Sequence, residues 1–230
     1  EVAVARSQIL TGVTSLADAV QPGHMVTFGT TAYSIANDPG ADLGDPMIAA
    51  ATLGQGRVIA LPDHQWMNMD SHGNDPSMAA FYQNSVRWLA DSTAWNTHLV
   101  TYNDQDNADW LTSRGFTQVV NVTASTLSTH LAEADVLVTA WLGSNVSDEV
   151  LTTVGDFVTA GGGLLVCEYG IGYQWWWNKP TEEIPGNRLL RLAGIGFVKQ
   201  WPHGSGAQTV TAATGQVTAS GVAGNKYFII

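Results

Sequence analysis

The side chains able to do acid–base or metal chemistry gather first behind a short apolar run, Arg57-Val58-Ile59-Ala60-Leu61. Positions 63–75 carry Asp63, His64, Asp70, His72 and Asp75. Imidazole and carboxylate are the ligand types of zinc, manganese and iron. A loop at the carboxyl end of a strand could converge Asp63, His64 and His72 on such an ion. The spacing matches no compact metal motif, however, and a polar loop in which Asp75 caps the next helix accounts for the same residues. His64, a functional residue or a hydrogen-bonded structural one, directly follows Asp63. A hydrolytic site, metal-assisted or not, would combine it with Asp63 and Glu168. A glycosidase would need a second carboxylate ~5–10 Å from the first, for which Glu182 and Glu183 are the candidates. Asp104, Asp106 and Asp109 lack the central glycine and terminal glutamate of a calcium loop. They read as a strand-end loop followed by a helix cap.

The second chemical feature is aromatic. In Tyr173-Gln174-Trp175-Trp176-Trp177-Asn178, three consecutive tryptophans cannot all face a core, whether in a helix or a strand. At least one lines a groove or an interface. Tryptophan beside Asn and Gln suits a sugar ring or a protein partner; packing against a neighbouring domain is the alternative. Cys167 follows Leu164-Leu165-Val166 inside an apolar strand and reads as a buried structural thiol rather than a nucleophile. It is the only cysteine, so no internal disulfide forms. Asn121-Val-Thr and Asn145-Val-Ser are glycosylation sequons, meaningful only in a eukaryotic secretory pathway.

The elements that must position these groups alternate along 230 residues. The first third reads as strands: Met25–Gly29, Thr31–Ala36, and a hairpin of Pro46–Leu53 and Arg57–Leu61 around Gly54-Gln55-Gly56. From Pro76 the period becomes helical, with Asp75 as N-cap and Pro76 at the first helical position. Strands at His98–Tyr102, Gln118–Val122, Val136–Trp141 and Leu164–Cys167 then alternate with helices at Ala108–Arg114, Ser125–Ala134 and Ser147–Thr159. Such alternation predicts a parallel sheet with right-handed crossovers. The fold class is α/β: a flavodoxin-like three-layer parallel sheet with an added N-terminal antiparallel hairpin. It reads as one domain, antiparallel over 1–75, parallel over 76–204 and peripheral over 205–230, where a weak strand pair or loop is expected. The apolar end KYFII suggests a piece of a longer chain.

Composition excludes several functions. There are 9 basic and 20 acidic side chains, a formal net charge of −11. That opposes binding to nucleic-acid phosphates. No apolar run reaches the ~18–20 residues of a membrane-inserted helix. Low lysine with abundant Thr, Asn, Gln and Trp suggests a bacterial secreted or periplasmic protein.

The residues from Glu168 to Gln174 resemble the Gly-x-Cys-x-Gly-x-Gln elbow of class I glutamine amidotransferases. Gly172 matches its second glycine and Gln174 its glutamine. The nucleophile position falls on Gly170, and His203 lacks the following x-Glu, so the resemblance implies a domain without glutaminase chemistry. A broader pattern comprises Gly54–Val58, Asp63-His64, Asn84, Trp88-Leu89, Gly161-Gly162-Gly163, Gly170-x-Gly-x-Gln, Asn187-x-Leu-Leu and Gly194-Ile195-Gly196. It is similar to the amidotransferase-like domain of TRP-channel-associated factors and of enhancin-like secreted metallopeptidases. No His-Glu-x-x-His zinc signature accompanies it. The expectation is a non-catalytic accessory domain of a larger secreted protein. It would need no cofactor and would bind an adjacent domain, a protein or a glycan through Gly170, Gly172, Gln174 and Trp175, Trp176, Trp177. A hydrolase using His64, Asp63 and Glu168 is the alternative. A structural or assembly protein pairing through an exposed hairpin edge is a third reading.

Overall fold

The computed structural model describes residues 2–19, 23–37, 46–198, 206–209 and 211–212. Its centre is an eight-stranded sheet. Along one side run β3 (Ala32–Asn37), β4 (Pro46–Leu53) and β5 (Gly56–Leu61), each antiparallel to the next. From β5 onward all neighbours are parallel: β9 (Gly163–Cys167), β8 (Val136–Thr139), β6 (His98–Tyr102) and β7 (Gln118–Val122) at the far edge. The order β7-β6-β8-β9-β5 is that of a flavodoxin-like sheet whose last place is filled by a strand from earlier in the chain. β12 (Thr211–Ala212) pairs with β3 and closes the antiparallel side. Two small antiparallel pairs lie outside: β1 (Ser15–Ala19) with β11 (Gly206–Thr209), and β2 (His24–Thr27) with β10 (Ile195–Val198). β11 and β12 thus join other strands rather than each other; the rest of the peripheral 205–230 segment lies outside the described residues.

Both faces of the parallel strands are covered, which is why Val58, Ile59, Ala60 and Leu61 are all fully buried and read as a continuous apolar run. One face carries α1 (Val2–Leu10), α3 (Pro76–Leu89) and α4 (Gln105–Ser113). The other carries α5 (Leu127–Leu131), α6 (Asp148–Thr159) and α8 (Pro185–Leu190). Local signals set the ends. Asp75 accepts from the N–H groups of Ser77 and Met78, each at 2.9 Å, and Ser147 accepts from Val150 N–H at 3.3 Å. Gly54 turns the β4–β5 hairpin at φ +62°, and a Cβ there would meet Thr159 Cα at 2.7 Å. Only glycine suits both demands.

Two elements differ from expectation. The chain starts with a helix, α1, although the first third reads as strands. Ala5 and Ile9, one turn apart, bury against the core, and Asn84 Nδ2 on α3 holds the carbonyls of Ile9 and Thr11 at 3.2 and 2.7 Å. The segment after β9, to which the sequence assigns no element, is a helix, α7 (Gly170–Trp177). Among the described residues no helix is long and apolar enough to cross a membrane.

Candidate functional site

In open α/β sheets functional groups collect beyond the carboxyl ends of the strands. Here β5, β9 and β8 lie side by side, with Leu61 opposite Cys167 and Val166 opposite Thr139. The chain leaves them as Asp63-His64, Glu168-Tyr169 and Ala140-Trp141. The topology therefore brings these three segments to one edge.

Asp63 is buried and caps the short turn His64–Met67, accepting from Gln65 N–H at 2.8 Å. Its Oδ1 lies 3.4 Å from His64 Nδ1. Burial pushes the Asp63 carboxyl up to about 7, against the opposing pull of the Gln65 N–H. Burial also lowers the His64 pKa. Desolvation disfavours both charged forms, so this is no strong ion pair. The imidazole instead packs on aromatic rings, 4.6 Å from Trp141 and 5.9 Å from Tyr169 between centroids.

Glu168 is completely buried, and burial pushes its carboxyl up to about 8. The Tyr173 hydroxyl and the N–H groups of Leu142 and Gly186 face it and offset part of that penalty. Neither carboxyl oxygen makes a well-formed hydrogen bond. Tyr173 in turn accepts from Trp141 Nε1 at 2.5 Å. His64 therefore meets Trp141 and Tyr169, while Glu168 meets Tyr173. Among the described residues neither His64 Nδ1 nor a Glu168 oxygen makes a well-formed hydrogen bond, and Trp141 contacts both His64 and Tyr173.

Those rings form the main feature of the edge. Trp141 stands 5.8 Å from Tyr173, 5.9 Å from Trp176 and 5.3 Å from Trp177. Tyr169 lies 5.7 Å from Trp176. These are the spacings of interacting aromatic pairs. Trp175, Trp176 and Trp177 remain 55%, 54% and 39% exposed, and Gln174 beside them is exposed. α7 ends at Asn178, whose φ of +47° is left-handed. The result is a shelf of exposed indoles anchored by buried Tyr173 and half-buried Trp141.

Gly170 and Gly172 lie beneath this shelf and are buried. A Cβ on Gly172 would meet Tyr169 Cδ1 at 2.5 Å and Trp176 Cζ3 at 2.8 Å. One on Gly170 would meet the Val198 carbonyl oxygen at 2.6 Å. Both positions are closely packed, with no room for a larger side chain. Gly170→Cys is accordingly expected to destabilise by about 1–3 kcal/mol through overpacking and to leave glutamine unhydrolysed. Urea unfolding and ammonia release check this; a stable variant that releases ammonia would refute it.

Several of the remaining candidates have structural roles here. Cys167 is buried in β9, and burial pushes its thiol well up. Asp104 caps α4 by accepting from Asn107 N–H at 3.1 Å. Asn121 accepts from Thr101 Oγ1 at 3.1 Å and Asp104 N–H at 2.9 Å, while Asn145 is exposed. His72 ends the short helix α2 (Met69–His72), and the Asp70 side chain lies outside the described ones. Among the described residues no group of three His, Cys, Asp or Glu side chains could hold a metal ion. Asp63, His64 and His72 are thus not brought together as ligands. Sequence reasoning missed Trp141 and Tyr173 as the centre of the array. Their only signal was an aromatic at the end of one strand and another one turn into the next segment.

With this geometry in place, comparison with known proteins is informative. Residues 1–211 match the family model described as "TRPM8, N-terminal domain" (TCAF_N). TRPM8 channel-associated factor 2 of Homo sapiens is 28% identical over 203 residues, covering 85% of this chain and 20% of that protein. The TRPM8 channel-associated factor homolog of Danio rerio is 25% identical over 185 residues, covering 74% and 17%. The chain spans about a fifth of the length of these relatives. IMPa from Pseudomonas aeruginosa, solved in complex with an O-glycopeptide, shares the fold with a TM-score of 0.60 at 15% identity, over 89% of this chain and 23% of that one. IMPa in complex with T-antigen gives 0.61 at 17% identity, over 85% and 22%. The curated relatives are vertebrate channel-associated factors, which overturns the reading of a bacterial secreted or periplasmic protein. Surface composition follows solubility and packing demands and does not encode a cellular address.

Proposed function

This chain belongs to the TRPM8, N-terminal domain (TCAF_N) family, and from that premise we propose that it is a non-catalytic recognition domain of a larger protein. It docks a partner on the aromatic shelf at the carboxyl edge of its sheet. The observation that carries this reading is the exposure of Trp175, Trp176 and Trp177 on one short helix braced by Trp141. Tryptophan supplies large contact area at small entropic cost and dominates interface energetics. A contiguous exposed apolar patch of this kind marks an interaction site. The occupant is an adjacent domain, another protein or a glycan.

The same edge argues against hydrolysis by His64, Asp63 and Glu168. Glu168 is sealed: a Cβ on Gly186 would lie 2.7 Å from its Cγ, and Tyr173 covers it from α7. An acid without access to a substrate cannot transfer a proton to one. The Gly170 elbow fits an amidotransferase-like ancestry with the nucleophile position closed over.

Thermal unfolding and tryptophan emission, followed against protein-derived peptides and neutral oligosaccharides, test the proposal. A ligand of the native state raises the melting temperature. The rise and any emission shift should vanish in Trp175→Ala/Trp176→Ala, whose circular dichroism should be unchanged because both side chains are exposed. Binding that survives that variant, is lost in His64→Ala and comes with ligand cleavage would replace this reading with the hydrolase.

A further inference from the structure

Acidic side chains flank the segments of the shelf along the chain. Asp148 and Glu149 open α6 just after the Trp141 loop, and Glu182 and Glu183 follow α7 after Pro180; all four are exposed. Arg188 neutralises Asp148 at 2.7 Å. Among the described residues Glu149, Glu182 and Glu183 have no ion-pair partner within 4 Å. Lys179, three residues before Glu182, is half-buried. The whole molecule carries a formal charge of −11.

The exposed rings do not form a flat platform. Trp176 and Trp177 stand at 82° to each other, and Trp141 is tilted 46° and 62° from them. Crossed rings leave clefts for side chains rather than one plane for a sugar ring to lie on. Indole faces attract guanidinium and ammonium groups, and a ring of like charge steers an oppositely charged partner to its site.

From the crossed indoles, the exposed carboxylates of the flanking segments and the net negative charge, we propose that the shelf receives a basic protein segment, one presenting Arg or Lys side chains interleaved with apolar ones. This rests on the docking reading and adds the chemistry of the occupant. Aliphatic and aromatic side chains enter between the rings. Guanidinium groups lie over the exposed faces of Trp175 and Trp176 and reach Glu149, Glu182 and Glu183.

The experiment is a fluorescence titration of the chain with an Arg/Leu octapeptide, with Gln/Leu and Glu/Leu peptides of equal length and with chitotetraose. The Arg/Leu peptide is expected to bind about tenfold or more tightly than the Gln/Leu peptide. Its affinity should fall as salt rises from about 50 to 300 mM. Trp176→Ala should abolish binding, and Glu182→Gln/Glu183→Gln should weaken it about threefold or more while leaving the free protein's emission unchanged. Equal binding of the Arg and Gln peptides, or salt-independent binding, overturns the basic partner. Trp176-dependent binding of the neutral peptide or of chitotetraose, with no gain from arginine, overturns it while the docking reading stands. If no probe binds, or if Trp176→Ala leaves every titration unchanged, both fail.

Discussion

Asn187→Ala is expected to cost about 3–5 kcal/mol, because one side chain closes three backbone groups at once. Its Nδ2 donates to the carbonyls of Thr181 and Phe197, each at 2.8 Å, and its Oδ1 accepts from Phe197 N–H at 2.5 Å. Asn187 is 5% exposed and Phe197 fully buried, so water cannot replace the partners of the two Phe197 groups without opening the fold, whereas Thr181 is half-buried. An unsatisfied buried group costs about 1–3 kcal/mol, and two such groups are released together. For a chain of this size each kcal/mol lowers Tm by roughly 2–4 °C, which makes a fall of about 10 °C the central expectation. Asn187 also clamps α8 to β10, and β10 supplies the Val198 carbonyl that closes over Gly170. Amide exchange at Phe197 should accelerate more than exchange in β6, far across the sheet. A loss under about 1 kcal/mol, or uniform acceleration, would show that the clamp is not what holds this edge.

Asn187 also marks where the sequence became hard to read. β6 and β7 match their expected bounds residue for residue, since each is a short β-branched run between turn signals. The caps of α3 and α6 were equally legible, because Asp75 and Ser147 act within three residues of themselves. α1 was not. Val2 and Val4 favour strands, and the helix is held by contacts distant in sequence: the burial of Ala5 and Ile9 and the bonds of Asn84, 73 to 75 residues away. α7 was missed for a related reason. Two glycines argue against a helix by about 1 kcal/mol each, yet Gly170 and Gly172 are what let it settle on Val198 and Tyr169. For the site, helical and strand periodicity required only that at least one of the tryptophans leave the core. The position of Trp141 at their centre did not. It depends on β8 lying next to β9, which strand order decides and spacing cannot. The sealing of Glu168 likewise depends on Gly186, Tyr173 and Phe197, which arrive from three different elements.

That sealed carboxyl sets the second large effect, a loss of stability as pH rises from about 5 to 8. Glu168 has its pKa raised from an ordinary 4.5 to about 8, and Asp63 from 3.8 to about 7, both chiefly by burial. Between those limits the unfolded chain has released the proton and the folded chain still holds it. The unfolded state binds fewer protons, so stability falls with rising pH, by up to about 1.4 kcal/mol per unit for each group. The contribution is fully present below the ordinary value and is lost once the folded pKa is passed. His64 works the other way. Its pKa is lowered from 6.5, so it opposes the decline below that pH and ceases to above it. Between about pH 7 and 8 the decline at this edge belongs to Glu168. Glu168→Gln keeps an acceptor for the Leu142 and Gly186 N–H groups and removes the ionisation. The variant should equal the parent near pH 5, exceed it by several kcal/mol at pH 8, and show a flat profile where the parent still falls. Asp63→Asn should flatten only the lower part. Urea midpoints across pH 5–9 measure both, and parallel profiles for Glu168→Gln and the parent would rule Glu168 out as the cause. Because Glu168 meets Tyr173, and Tyr173 accepts from Trp141, ionisation should also shift indole emission in the same pH range. A group held neutral in order to brace an aromatic shelf would behave in this way, whereas an exposed general acid would titrate with no penalty to the fold.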